Sequence, residues 1–153
     1  GVELMFGFLD WEQTRRLRYQ SFESHPESRP NRPDFSDYSE PKSLQRILKK
    51  IEESTVDRRI PDMLKGYFTD IHLALRENKR VCKDGAKIAF VVGNAQYGGI
   101  PVMVDQFTAE IGEKLGLKCE KIIATRYRGN SAQQMSEYGR RPSRESIVIL
   151  QKE

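Results

Sequence analysis

Five stretches of this chain carry apolar residues in patterns that dictate regular structure. In 43–51 the apolar positions Leu44, Ile47, Leu48 and Ile51 recur at i, i+3, i+4 and i+7. This predicts a helix with one packed face and one charged face. In 59–80 the stripe Ile60, Met63, Leu64, Tyr67, Phe68, Ile71 and Leu75 predicts a longer helix, with Pro61 tolerated in its first turn. Basic residues at its end, Arg76, Lys79 and Arg80, match the negative end of a helix dipole. The run 87–92, Lys-Ile-Ala-Phe-Val-Val, is unbroken and bounded by glycine, which predicts a central strand buried on both faces. Strands are also predicted over 119–127 and 145–150, with a polar loop, 128–143, between them. No helical pattern separates these two, so they should pair as an antiparallel hairpin.

The remaining elements are less regular. Residues 2–18 place Val2, Met5, Phe6, Leu9 and Leu17 near helical spacing, with Arg15 and Arg16 on the polar side. Residues 19–42 are rich in Ser, Asn, Asp and Arg, and Pro26, Pro30, Pro33 and Pro41 interrupt them. They form a long surface loop, either a flexible linker or a functional excursion. Residues 94–99 form a polar, glycine-rich loop after the central strand. A helix over 101–115 comes next, with Val102, Met103 or Val104, Phe107, Ile111 and Leu115 on its buried face and Gly116 as its C′ glycine.

Function in an open α/β sheet sits at the carboxyl ends of its strands. Asn94, Gln96 and Tyr97 are therefore the first candidates for ligand contact, against the alternative that Gly93, Gly98 and Gly99 only turn the chain.

The 153 residues suit one domain, and a formal net charge of +4 permits nucleic-acid binding without requiring it. Cys82, Cys119, His25 and His72 are isolated, which excludes the usual metal-ligand spacings; the thiols read as reduced and buried, and His72 as a surface or core-edge residue. No signal peptide and no apolar span of about 18 residues is seen, so a soluble cytoplasmic protein without membrane contact is expected. The chain opens on Gly1 within an apolar segment, as a piece cut from something longer would. There is no G-x-G-x-x-G, no Walker motif and no nucleophile–His–Asp set.

The distal segment 126–144 holds Arg126, Arg128, Arg140, Arg141 and Arg144 against the single acid Glu137, a net +4 equal to that of the whole chain. Arginine suits planar contact with phosphates and base edges. Asn130, Gln133, Gln134 and two tyrosines are interleaved among the arginines, as on surfaces that read or stack on bases. The alternative is a solvated hairpin whose arginines pair with acidic neighbours.

Two sets of residues carry a family resemblance. One is Gly85-Ala-Lys-Ile-Ala-Phe-Val-Val-Gly-Asn94-Ala-Gln-Tyr97-Gly-Gly. The other is Arg126-Tyr-Arg-Gly-Asn130-Ser, Gln134-Met, Tyr138-Gly-Arg-Arg141 and Arg144-Glu-Ser-Ile. With the helix between them they resemble, over roughly 58–152, the C-terminal half of S-adenosylmethionine-dependent DNA methyltransferases that modify the exocyclic amino group of adenine (N6) or cytosine (N4). The opening Val2-Glu-Leu-Met-Phe-Gly-Phe-Leu resembles the segment after the catalytic Pro-Pro-Tyr loop in that family.

The resemblance implies the distal half of a Rossmann-like, class I, three-layer α/β sheet ending in an antiparallel hairpin, preceded by an N-terminal helical segment. Residues 1–57 would be an excursion after the catalytic loop and 58–153 the C-terminal half of the catalytic domain. It further implies DNA methylation in a restriction-modification setting, with a flipped target base. Asn94, Gln96 and Tyr97 would form the rim of the base pocket, and the arginine-rich loop would contact DNA. The glycine loop for S-adenosylmethionine, the acidic residue for its ribose and the Pro-Pro-Tyr loop are not in these residues. The chain alone is therefore expected to hold no catalytic residue and no complete active site, and to need an N-terminal half or a further copy to finish the sheet. An RNA methyltransferase of the same fold, and a non-catalytic nucleic-acid-binding module, are the competing readings.

Overall fold

The computed structural model describes residues 7, 9–26, 28, 32–33, 36–54, 57–129, 139 and 142–153. In chain order the elements are α1 (Trp11–Gln20), α2 (Lys42–Ser54), α3 (Arg59–Val81), β1 (Lys87–Gly93), β2 (Ala95–Tyr97), β3 (Ile100–Val102), α4 (Val104–Lys114), β4 (Leu117–Arg128) and β5 (Ser143–Lys152). Helices and antiparallel strands share one core, a mixed α/β arrangement.

β5 lies in the middle of a three-stranded sheet of order β1-β5-β4, antiparallel to both neighbours. The predicted β4–β5 hairpin is present. Its register slips between Cys119 and Lys121 and again between Ala124 and Arg126, as β-bulges do, re-aiming side chains beyond each slip.

β1 departs from expectation. It pairs on one side only among the described residues, and its burial alternates: Ile88 and Val92 are buried while Val91 is 69% exposed. The reason is that the described helices pack against one side of the sheet. Val91, Ile147 and Ile123 are in register across the other side, where Val91 and Ile123 are exposed. An unbroken apolar run reports what a strand can bury, and the layers around it decide what is buried.

The core joins three helices to the sheet. Leu44, Leu48 and Ile51 of α2 meet Met63, Leu64, Phe68, Ile71 and Leu75 of α3 and Phe107 and Ile111 of α4. Phe68 and Phe107 meet edge to face, with centroids 5.5 Å apart at 84°, a favoured aromatic geometry. The two stretches divided at residue 57 in the sequence thus contribute to one cluster.

Two further boundaries moved. α1 begins at Trp11, where Asp10 forms a capping box with Gln13; Leu9 lies outside the helix, and residues 2–6 lie outside the described residues. The expected helix over 101–115 starts at Val104, because Ile100–Val102 pairs with Ala95–Tyr97 as a small ribbon. Gly98 and Gly99, at φ +54° and +75°, supply the two left-handed residues that a type I′ hairpin turn requires. Gly116 ends α4 at φ +76°, as expected of a C′ glycine.

The long loop is anchored where it is described. Arg32 pairs with Asp70 at 2.7 Å and with Glu23, while the Glu23 amide donates to Asp70 at 2.8 Å. His72 is buried on α3, 3.5 Å from Asp37 and stacked at 4.8 Å on Tyr38, so it is no surface residue. Burial holds His72 below the ordinary imidazole range despite Asp37. Both cysteines are free and half-buried.

Candidate nucleic-acid interface

The carboxyl end of β1 is held by a polar network whose members come from distant parts of the chain. Asn94 is fully engaged in it. Its amide donates to the Arg144 carbonyl at 2.9 Å, and its carbonyl accepts from the Ser143 hydroxyl. Its side-chain oxygen accepts from the Asp105 amide at 3.1 Å, and its side-chain nitrogen lies 3.7 Å from Met103 Sδ. Met103, the N-cap residue of α4, supplies no side-chain cap, so Asn94 performs that task from nine residues upstream.

Asp105 is the centre of the network. It is fully buried, and its carboxylate accepts from the Gln106 amide at 2.9 Å, from Arg144 Nε at 2.7 Å and from Ser146 Oγ at 2.7 Å. Burial pushes its pKa up, but the hydrogen bonds from Arg144, Ser146 and Asn94 and the Arg144 charge outweigh this and hold it below the ordinary carboxylate range. The network clamps loop, helix start and hairpin base together.

Gln96 and Tyr97 lie on β2. Gln96 is buried opposite Pro101. Tyr97 is half-buried against the core, and burial raises its phenol pKa. The structure therefore places Asn94, Gln96 and Tyr97 in the packed shoulder of the β1 loop.

At the hairpin base the described arginines all meet carboxylates. Arg126 and Arg128 both pair with Glu145, which sits across the ladder from Arg126. Arg144 pairs with Asp105 and faces Tyr127 across the ladder. Arg126 and Arg128 stay well exposed, whereas the Arg144 side chain is 28% exposed. Asn130, Gln133, Gln134, Arg140 and Arg141 lie outside the described residues.

Sequence reasoning missed Asp105, Ser143 and Ser146. The available signal was an acidic residue in the first turn of a helix that the core buries, with an arginine on the strand beneath it. Among the described residues no cluster of His, Cys, Asp and Glu could hold a metal, and no helix is long and apolar enough to cross a membrane. The polar groups of Asn94 and Asp105 bind one another and the start of β5. They do not form a cradle for an adenosine or for the charged amino-acid end of S-adenosylmethionine.

A mixed α/β core with its polar residues clamped at the end of a strand defines a broad class of ligand-binding sheets. Comparison with known proteins narrows it. The chain is 42% identical over 108 residues to the Type II methyltransferase M.BsoBI of Geobacillus stearothermophilus, a match covering 69% of this chain and 21% of that protein. It is 35% identical over 115 residues to the Type II methyltransferase M.AvaI of Nostoc sp., covering 71% of this chain and 24% of that protein, and equally similar to M.AvaI of Anabaena variabilis. Over most of its length the chain is thus similar to Type II methyltransferases, and it spans about a fifth to a quarter of the relatives it matches. No family model matches it, and no solved structure does.

Proposed function

We propose that this chain is the distal part of a cytoplasmic DNA methyltransferase that transfers the methyl group of S-adenosylmethionine to the exocyclic amino group of adenine or cytosine. The observation that carries the reading is the match of about 70% of these residues to Type II methyltransferases. The geometry supports it in two ways. The row of exposed Val91, half-buried Ile147 and exposed Ile123, together with the edge of β1, suits a sheet that continues into further strands and a further helical layer, as a Rossmann-like three-layer fold would. The clamp on Asn94 rigidifies the end of β1, where a base pocket needs a firm wall.

In this reading 58–153 belongs to the catalytic domain and 1–57 is an excursion packed onto it. Asn94, Gln96 and Tyr97 shape the pocket rim from behind. Arg126 and Arg128, together with Asn130, Gln133, Gln134, Arg140 and Arg141, approach DNA, and Arg144 positions the hairpin base. The described residues do not fit S-adenosylmethionine, so in this reading its binding falls mainly to an N-terminal half that completes the sheet.

The test has two arms. Calorimetry of the 153-residue chain with S-adenosylmethionine is expected to show no binding, and tight binding would overturn the division of labour. Mass spectrometry of nucleosides from DNA treated with the whole enzyme is expected to show N6-methyladenine or N4-methylcytosine; methylation at a ring carbon would overturn the chemistry.

A further inference from the structure

Three cations that form no ion pair among the described residues lie together on α2. Arg46, Lys49 and Lys50 fall at i, i+3 and i+4, beside the apolar stripe that buries Leu44, Leu48 and Ile51. All three are exposed, and they line a groove of about 580 Å³. The opposite wall is Pro101 of β3 with Met103 and Gln106 at the start of α4, and Ile47 and Phe107 also line the groove. Among the described residues neither Lys49 nor Lys50 forms an ion pair, and Arg46 reaches only the Lys42 carbonyl of its own helix, at 3.3 Å. One acid, Glu53, completes the stripe.

Two contacts fix the width of the groove. Ser43 Oγ donates to Glu110 Oε2 at 2.5 Å, tying the first turn of α2 to α4. At the other end Ser54 meets Gly98, where a Cβ would come within 2.7 Å of Ser54 Oγ. The cationic rim is thus held against the same β2–β3 ribbon that comes after Asn94.

We propose that this groove binds the phosphate backbone of DNA, with Arg46, Lys49 and Lys50 as the contacting cations and the apolar wall packed by deoxyribose. The inference rests on the DNA methyltransferase reading and adds a contact surface distinct from the arginine hairpin. Three exposed cations at helical spacing along an open groove are the arrangement that neutralises successive phosphates and releases their counterions. A carboxylate-paired arginine must first break its own ion pair to do so. Lys49 and Lys50 have no such pair to break.

The test is fluorescence anisotropy of the full 153-residue chain with a labelled duplex of about 20 base pairs, titrated with salt from about 50 to about 200 mM. Replacing Arg46, Lys49 and Lys50 together with Gln should flatten the log–log salt dependence by about 2–3, at roughly 0.9 per lost phosphate contact, and weaken binding about tenfold or more. The matched triple Lys83→Gln, Lys118→Gln and Lys121→Gln removes the same charge elsewhere and should leave the slope unchanged. Glu53→Gln should tighten binding. Circular dichroism confirms that the variants stay folded, which their exposure makes the expected result.

An unchanged slope in the α2 variant would overturn the groove, as would an equal loss in the matched control or no DNA binding by the unsubstituted chain. Unlabelled polyglutamate or duplex RNA competing better than unlabelled DNA would overturn the assignment to DNA. If binding is instead lost only on replacing Arg126 and Arg128, the groove fails while the methyltransferase reading stands. A product methylated at a ring carbon would overturn that reading and leave the groove intact.

Discussion

Two basic surfaces of this molecule rank in one order in the sequence and in the opposite order in the fold. The hairpin base carries Arg126, Arg128 and Arg144, each beside a carboxylate: two share Glu145 and one holds the buried Asp105. The α2 stripe carries Arg46, Lys49 and Lys50, with no ion pair on either lysine among the described residues. The hairpin has the greater density of charge, and the stripe has the greater availability of it. Formal charge measures the first, and register measures the second. A cation already paired has a local partner to trade before it can meet a phosphate, so the poorer-looking surface in the sequence is the better prepared one in the structure.

The comparison breaks most severely at Asp105. Asp105→Ala leaves Arg144 without its carboxylate and Ser146 and the start of α4 without their acceptor. Urea unfolding should show a loss of about 3 kcal/mol, the scale for removing one partner of a buried pair. A loss below about 1 kcal/mol would mean that Arg144 is not structurally committed, and the contrast between the two surfaces would shrink.

Acid probes the same clamp without a substitution. The folded pKa of Asp105 is depressed, so its contribution is complete above the ordinary carboxylate pKa and is lost as pH falls through the folded value. The stability gap between the parent chain and Asp105→Ala should therefore be constant near neutrality and close below about pH 4. A gap that stays constant into that acid range would assign the loss to packing alone.

Gly98→Ala addresses the other surface. It places a Cβ at φ +54° against Ser54, where α2 docks on the β2–β3 ribbon. The expected destabilisation is about 1–3 kcal/mol, the usual range for backbone strain of this kind. Adding Ser54→Gly should recover the part due to the clash. It should also restore DNA binding if the position of α2 sets the groove.

The smallest stability effect is expected from Glu145→Gln, which releases Arg126 and Arg128 at the hairpin rim. These arginines are exposed, so the cost should stay below about 1 kcal/mol. DNA affinity should rise, with a salt slope steeper by up to about 2. No change in slope would show that the pairing does not limit the hairpin arginines.

Much of the fold was legible because its signals are local. The stripes of α2 and α3 needed only helical spacing. The β4–β5 hairpin emerged from two strand patterns with no helix between them, and Gly116 from the end of α4. The candidate site was less legible. Asn94 stands at the end of β1 as expected, but its polar atoms face Asp105, Arg144, Ser143 and Met103. Nothing in the neighbourhood of Asn94 in the sequence indicates those partners. The β2–β3 ribbon escaped for a different reason: three-residue strands leave almost no period to read, and the pattern of α4 extended smoothly across them.

The sequence by itself determined which segments form helices and strands, that the last two strands pair, and where positive charge is concentrated, since each depends on residues within a turn or two of one another. Tertiary structure alone decided that β1 pairs only with β5 among the described residues, that Asn94 caps a helix, and which cations are engaged. Those outcomes depend on pairs such as Asp105 and Arg144, 39 positions apart, and on the registry that sets Glu145 between Arg126 and Arg128. Ion pairing depends on distance in space, and only the folded chain sets that distance.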